Sequence, residues 1–270
     1  MYEGYFQLNE LPFRITPDPR FLYLSPQHKE TLAKALYMVK NRVGPLYVTG
    51  PIGSGKTTIA RTIYQQLAAS PQTQVAMIIA PNLKTSNAFL REIMNEFEVK
   101  TERSYVQSLN NFSHFLAEQF KAGKSPVLLI DEAQNLPYDA LKLVHYLLNF
   151  ETNEQKLLQI VLFGQAQLEY KIEQFPELKS RMFPSALAAL SRADTEAMIQ
   201  YRWTVGGVKK QPFDAEALNE IYRASLGLPR EICKICDLAL LKAFSDSRSS
   251  IDKDTIAVAA EELHLKEETV

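Results

Sequence analysis

The chain has 270 residues, of which 46% are hydrophobic and 23% are charged, so it can bury a sizeable core and its composition excludes an intrinsically disordered protein. Its formal net charge of −1 excludes an overall basic field that would draw it to nucleic acid, although a local basic patch repeated around an oligomer is still compatible with DNA binding. The first residues lack the layout of a signal peptide and no apolar run reaches the roughly 18 residues that span a bilayer, so we expect a cytoplasmic protein with no membrane partner.

The first segment is rich in aromatic residues and proline. Its prolines at positions 12, 17, 19 and 26 exclude a long helix, so we expect an extended arm followed by a helix that begins near Pro26. We assign residues 1–43 to this arm and first helix, both of which belong to the core of the protein.

From residue 44 the sequence alternates between apolar, β-branched segments and segments with a helical period. The predicted strands are PLYVTG, QVAMIIAP, PVLLIDEA and LQIVLFGQ. Continuous apolar strands that alternate with helices indicate a parallel sheet covered on both faces. We therefore predict an α/β core with a doubly wound parallel sheet over residues 44–193. The strand pattern then stops, and residues 194–270 are predicted to form a small all-helical domain.

The chain has two cysteines, Cys233 and Cys236, and both lie in this helical domain. A C-x-x-C pair is compatible with a redox or half-zinc motif. Here the spacing of three residues places both thiols on one stripe of an amphipathic helix, and there is no second pair to complete a metal site. We therefore interpret them as small core residues.

A glycine-rich motif follows the first predicted strand. It reads GPIGSGKTT and fits the pattern G-x-x-x-x-G-K-[ST]. In such a loop the backbone N–H groups point at phosphates, the lysine neutralises the β- and γ-phosphate oxygens, and the hydroxyl reaches Mg²⁺. The predicted nucleotide-binding residues are Gly50, Pro51, Ile52, Gly53, Ser54, Gly55, Lys56, Thr57 and Thr58.

The apolar strand VLLIDEA ends in two carboxylates, Asp131 and Glu132. A P-loop protein needs a carboxylate at this position to hold the magnesium shell, so we assign Mg²⁺ to Asp131 and Thr57. Glu132 is then placed to polarise an attacking water. An acidic cap on the next helix is the alternative explanation for the pair.

Three further polar residues are candidates for catalysis. Gln165 follows the strand LQIVLFGQ and is predicted to lie between the attacking water and the γ-phosphate, although a turn-forming Gly-Gln pair explains it equally well. Arg181 and Arg230 are candidates for cations that neutralise the transition state, one from a neighbouring subunit and one from the chain's own helical domain. Surface ion pairing is the alternative for each arginine.

Several of these segments together resemble a known family. The chain carries PFRITPDPRFLYLSPQH, GPIGSGKTT, VLLIDEAQNL, LLNFET, KLLQIVLFGQAQL, ELKSR and GLPREICKICDLALL in this order. In this it is similar to the AAA+ ATPases of the ExeA/GspA type of type II secretion. The TnsC-like regulators of DNA transposition share the same core. The resemblance covers nearly the whole chain, from about residue 6 to residue 263.

The resemblance implies a P-loop AAA+ core with a helical lid, ATP and Mg²⁺ bound between subunits, and a homo-oligomer that is a ring or a helical filament. It assigns Lys56 and Thr57 to Walker A, Asp131 and Glu132 to Walker B, Gln165 to sensor 1, Arg181 to the arginine finger and Arg230 to sensor 2. It also implies that His28 and arm residues 17–23 lie near the adenine. The turn before a lid helix, expected to read A-G, is Gly206-Gly207 here, which leaves the lid assignment intact.

Three functions stay open. The first is a transposition regulator that oligomerises with ATP on double-stranded DNA and recruits a transposase and target-selection proteins, with hydrolysis driving disassembly. The second is a secretion-assembly ATPase, and the third is a nucleotide-dependent interaction switch without DNA binding. We favour the first because the chain ends soon after the lid, without the membrane span and wall-binding domain of a fuller secretion protein.

If DNA is bound, basic and hydroxyl side chains on core loops are the expected contacts. Lys84 and Thr85 in PNLKTSN are candidates, and Arg103 in EVKTERSY is a third. Solvated surface residues are the alternative explanation for each. Contacts to phosphates would make binding independent of sequence and strongly dependent on salt.

Overall fold

The structure is a computed structural model that describes residues 1–82, 85–152 and 155–263. These residues group into two compact units. The first, called here the sheet unit, consists of residues 27–51 and 59–187, and the second, called the helical unit, consists of residues 1–26, 52–58 and the described part of 188–270. The predicted domain boundaries at residues 43 and 193 stay predictions.

The sheet unit contains a five-stranded parallel sheet. Its strands are β1 Leu46–Thr49, β2 Thr73–Ile78, β3 Ser125–Ile130, β4 Gln159–Gly164 and β5 Phe183–Ala186. The spatial order is β2-β3-β4-β1-β5, and every neighbouring pair is parallel. Strands β1, β3 and β4 are buried along their whole length, which explains why they read as continuous apolar runs in the sequence. The predicted α/β fold with a parallel sheet is therefore confirmed.

Helices connect the strands and form the second unit. They are α1 Tyr2–Tyr5, α2 Pro26–Lys40, α3 Lys56–Ala68, α4 Ser86–Glu96, α5 Tyr105–Lys121, α6 Tyr138–Leu147, α7 Ala166–Glu173, α8 Pro176–Lys179, α9 Arg192–Val205, α10 Ala215–Ser225, α11 Pro229–Ser245 and α12 Lys253–Glu262. Within the described ranges, no helix combines the length and the apolar character that crossing a bilayer would require.

The strand order places a topological switch point between β1 and β4. After β1 the chain continues to β2 at one edge of the sheet, whereas after β4 it continues to β5 at the opposite edge. The connections from these two adjacent strands therefore diverge. Ligands of open α/β sheets bind outside the carboxyl ends of the strands at such a point.

The arm contains no long helix, as its prolines predict, and it packs into the core of the helical unit. Its first residues form α1, and Pro19–Phe21 form one 3₁₀ turn. Phe13 is 1% exposed and stacks on Trp203 of α9, with ring centroids 6.5 Å apart. The aromatic side chains hold the arm against the helical unit, because the free energy gained by burying them exceeds the conformational entropy that the arm loses.

Cys233 and Cys236 lie on α11 and belong to this same core, as the sequence analysis predicts. Burial raises the pKa of the Cys233 thiol to about 11, while the nearby Arg202 acts in the opposite direction. Burial also raises the pKa of the Cys236 thiol well above its ordinary value. Both thiols are therefore protonated at neutral pH, which suits neither metal ligation nor thiolate chemistry.

Arg202 of α9 fastens the arm to the helical unit. Only 8% of this residue is exposed. Its Nε donates a hydrogen bond to the carbonyl of Phe21 at 3.1 Å, and its guanidinium lies 5.4 Å from the centre of the Phe21 ring. The same guanidinium also donates to the sulfur of Cys233. One buried side chain thus joins the arm to two helices of the unit.

We expect Arg202→Ala to lower the free energy of unfolding by about 2 kcal/mol, because the carbonyl of Phe21 loses a charged donor inside the protein. Urea unfolding followed by circular dichroism measures the change. Arg192→Ala is the matched control, since Arg192 lies exposed on the same helix and should change stability by no more than about 0.5 kcal/mol. Equal stabilities of the two variants would contradict the anchoring role.

Candidate functional site

The glycine-rich loop follows β1 and leads directly into α3. The strand ends at Thr49 and the helix begins at Lys56, so the loop has the strand–loop–helix context that its motif requires. Gly53 and Gly55 have φ angles of +82° and +97°, in the left-handed region that favours glycine. Lys56 itself is only 5% exposed. The N-terminus of α3 contributes backbone N–H groups and a partial positive charge, which attract an anion.

Within the helical unit, Arg230 lies against this loop. Its backbone N–H donates to the carbonyl of Gly53 at 3.2 Å. A Cβ atom added to Gly53 would lie 2.7 Å from the Cβ of Arg230, which is closer than real Cβ contacts allow. Glycine at position 53 therefore lets the first turn of α11 approach the loop. The structure places Arg230, predicted as a phosphate-contacting arginine, beside the predicted phosphate-binding loop.

In the sheet unit, the acidic pair follows β3 directly. Asp131 is 1% exposed, and its Oδ1 accepts the backbone N–H of Glu132 at 3.0 Å. Glu132 has φ +53° and ψ +37°, a left-handed conformation that costs a side-chain-bearing residue about 1 kcal/mol. Such outliers persist where the surrounding structure holds them in place, and they cluster at functional sites.

A third residue, Gln134, connects the acidic pair to β4. Its Nε2 donates to Oε2 of Glu132 at 2.5 Å, and its Oε1 accepts the backbone N–H of Gln165 at 3.1 Å. The side-chain Nε2 of Gln165 also lies 3.4 Å from the same Glu132 oxygen. The structure thus brings the predicted residues Glu132 and Gln165 together. Gln134 is absent from the sequence-based predictions, although a polar residue just past a strand end in VLLIDEAQNL is a signal that could have identified it.

Two neighbours keep Gln134 in place. The ammonium group of Lys171 donates to the backbone carbonyls of Gln134 and Leu136 at 2.6 and 2.8 Å. Gly164, the last residue of β4, leaves room for the amide, because an added Cβ would lie 2.9 Å from Oε1 of Gln134. Backbone and side chain of Gln134 are therefore both fixed.

Arg181 follows α8 and is half-buried. Its guanidinium donates to Oδ1 of Asn149 at 2.5 Å. The nearby Arg181 also contributes to the lowered pKa of the Glu151 carboxyl, for which the hydrogen bond from Lys156 is the main cause. Asn149 was not predicted, although it lies in the segment LLNFET. A neighbouring side chain thus orients the guanidinium of Arg181.

Four further residues were candidates for contacts with the adenine or with DNA. His28 is buried on α2, with 2% of its surface exposed. The hydroxyl of Thr85 accepts the N–H of Ala88 at 3.2 Å and caps α4, which gives this residue a structural role. Arg103 is exposed before α5, and Lys84 lies outside the described residues. The DNA contacts assigned to these loops stay predictions.

A cleft of about 280 Å³ opens beside α2 and the carboxyl ends of β1 and β5. Its polar lining includes Glu30, Lys34, Thr49 and Glu169. The carboxylates of Glu30 and Glu169 would repel phosphate oxygens, and the single ammonium of Lys34 cannot neutralise a triphosphate. This cleft therefore does not suit the phosphates of a nucleotide.

The residues predicted to bind a metal suit Mg²⁺ better than a structural metal that is held by protein side chains alone. Among the described residues, no group of three or more His, Cys, Asp and Glu side chains could hold a metal ion. Mg²⁺ takes oxygen ligands and is bound by one or two protein groups together with waters and substrate phosphates. The predicted ligands, the hydroxyl of Thr57 and the buried carboxylate of Asp131, are of this type.

Comparisons with known proteins show which proteins this chain is similar to. Residues 39–172 match the family model described as AAA domain. The chain is also similar to General secretion pathway protein A of Aeromonas hydrophila, with 37% identity over 268 residues. The match covers 97% of this chain and 48% of that protein, so the chain spans about half the length of its relative.

Solved structures share the fold at low sequence identity. The Aeropyrum pernix ORC2 protein in ADPNP-ADP complexes superposes with a TM-score of 0.63 and 16% identity, over 92% of this chain and 72% of that one. Drosophila ORC bound to DNA superposes with a TM-score of 0.70 and 19% identity, over 94% of this chain and 64% of that one. The parallel sheet, the P-loop between β1 and α3 and the match over residues 39–172 together show that this chain contains an ATPase domain of the AAA type.

Proposed function

We propose that the chain is a Mg²⁺-dependent ATPase that works as a homo-oligomer in the manner of the ExeA/GspA-type secretion-assembly ATPases. The similarity to General secretion pathway protein A carries this proposal, because it runs through the arm, the sheet unit and the helical unit rather than through the P-loop alone. A P-loop by itself is shared by ATPases of many functions.

In this proposal, different residues of the chain bind the phosphates, hold the metal ion and activate water. The loop N–H groups and the ammonium of Lys56 bind the phosphates, and Arg230 adds a second positive charge beside the same loop. Thr57 and Asp131 would hold Mg²⁺, which would supply positive charge to the phosphates. The carboxylate of Glu132 orients the attacking water and accepts its proton.

Arg181 supports an oligomeric enzyme. Its guanidinium is half-buried and oriented by Asn149, so it is presented in a defined direction at lower entropic cost than a freely rotating side chain. Phosphoryl transfer by AAA-type enzymes gains from an arginine that a neighbouring subunit supplies. We propose that Arg181 has this role in the site of the adjacent protomer.

The transposition hypothesis gains no support from the relative, whose name refers to secretion. Binding of double-stranded DNA, recruitment of a transposase and target-selection proteins, and a cytoplasmic location stay predictions. They are tested together with the proposed function, because DNA-dependent assembly separates the hypotheses.

We expect Lys56→Ala to abolish ATP binding, because the phosphates lose the ammonium that neutralises them. Isothermal titration calorimetry with Mg²⁺-ATP measures the affinity. Lys179→Ala, at an exposed lysine of α8, is the control and should bind ATP as the parent protein does. An unchanged affinity in Lys56→Ala would contradict the assignment of the loop.

Glu132→Gln should still bind ATP but lose hydrolysis by about 100-fold or more, because an amide cannot accept the proton of water. We expect this variant to accumulate as an ATP-bound oligomer, measured by electron microscopy and light scattering with and without duplex DNA. Assembly that ignores DNA supports the proposed function. Filaments that form only on DNA would favour transposition instead.

Arg181→Ala should lose hydrolysis by about 1000-fold while keeping ATP affinity, as expected for a residue that acts in a neighbour's site. Mixing it with Glu132→Gln should restore part of the activity, since the second variant supplies an intact arginine to the first. Lys179→Ala is again the matched control. Parental turnover by Arg181→Ala alone would exclude the proposed role.

A further inference from the structure

We propose that Gln134 is a positioning residue for ATP hydrolysis: its side-chain amide fixes the carboxylate of Glu132 and ties it to the end of β4 at Gln165. This inference rests on the proposed function, in which Glu132 activates water. In this role Gln134 does not contact the nucleotide, and it affects hydrolysis only through the general base Glu132.

The amide of Gln134 fits both of its partners at once. The carboxylate of Glu132 can only accept a hydrogen bond, and the backbone N–H of Gln165 can only donate one. An amide that donates from Nε2 at 2.5 Å and accepts at Oε1 at 3.1 Å satisfies both. A carboxylate at this position would repel Glu132, and an apolar side chain would satisfy neither partner.

The position of the amide is set by the strands rather than by a free loop. Gln134 lies in the 3₁₀ turn Ala133–Asn135 that follows the exit of β3, and Lys171 of α7 contacts the backbone carbonyl at its centre. Gln165 follows the last residue of β4. The amide therefore bridges the ends of two hydrogen-bonded neighbouring strands, which makes it a rigid support for a catalytic group.

The contacts also select which oxygen of Glu132 faces the reaction. Both amides, that of Gln134 at 2.5 Å and that of Gln165 at 3.4 Å, approach Oε2. Oε1 is then the oxygen that can accept a proton from water. Loss of the bridge would let the carboxylate rotate, and a displacement of about 1 Å in such a group is sufficient to cost about 100-fold in rate.

The test is steady-state ATP hydrolysis by the full chain with Gln134→Leu, which keeps the approximate size of the side chain and removes both hydrogen bonds. We expect kcat to fall by about 10-fold or more while the affinity for ATP changes by less than about twofold. Gln167→Leu, at an exposed glutamine of α7, is the matched control and should keep the parental kcat.

A double-mutant cycle separates a positioning role from a merely structural one. In the Glu132→Gln background, adding Gln134→Leu should change the residual kcat by less than about twofold, because the group that Gln134 positions is already inactive. An equal fold loss in both backgrounds would overturn the proposal. Parental kcat in Gln134→Leu alone would do so as well.

If Gln134→Leu does not fold, as judged by circular dichroism, Gln134→Asn replaces it. The shorter amide cannot span both partners, so the same loss of kcat at unchanged ATP affinity is expected. The activity of the parent protein distinguishes failure of the proposed function from failure of the role of Gln134. A parent protein that binds ATP without hydrolysing it overturns the proposed function and this role together, whereas an active parent whose Gln134 variants keep full kcat overturns this role only.

Discussion

Parallel pairing of β1, β3 and β4 sends the three segments that follow these strands to the same edge of the sheet, and the chemistry of the protein depends on that constraint. Thr49 lies opposite Gly164 in the β1–β4 pair, and Ile130 lies opposite Leu162 in the β3–β4 pair. The beginning of the P-loop, the acidic pair and Gln165 therefore leave the sheet within a few residues of one another. Their positions follow from backbone hydrogen bonds in a buried sheet, which hold functional groups more firmly than loops do.

Features encoded by local pattern could be predicted from the sequence. β1, β3 and β4 read as continuous apolar runs because both of their faces are covered, and this same burial makes the parallel sheet recognisable. The P-loop has a spacing that the geometry of phosphate binding requires, and the start of α3 at Lys56 agrees with it. The cysteines could be placed in the core for a similar reason, since a spacing of three residues puts both on the same apolar face of a helix.

Features encoded by pairs of distant side chains could not be predicted. Gln134 and Gln165 are 31 residues apart, and their contact depends on which strands are neighbours, a fact that no single-segment pattern contains. The same holds for Arg181 and Asn149. The arm was expected to be extended because its prolines exclude a long helix, but proline says nothing about where Phe13 is buried. Trp203, 190 positions further along the chain, provides that partner.

The left-handed backbone of Glu132 has a conformational cost of about 1 kcal/mol, which the rest of the fold must offset. A glycine or asparagine at this position would adopt the same dihedral angles at lower cost, but neither carries the carboxylate that the proposed activation of water requires. Natural selection on stability alone would therefore remove the glutamate. In the proposed mechanism this residue keeps its carboxylate at the expense of a relaxed backbone, as catalytic groups in strained positions do.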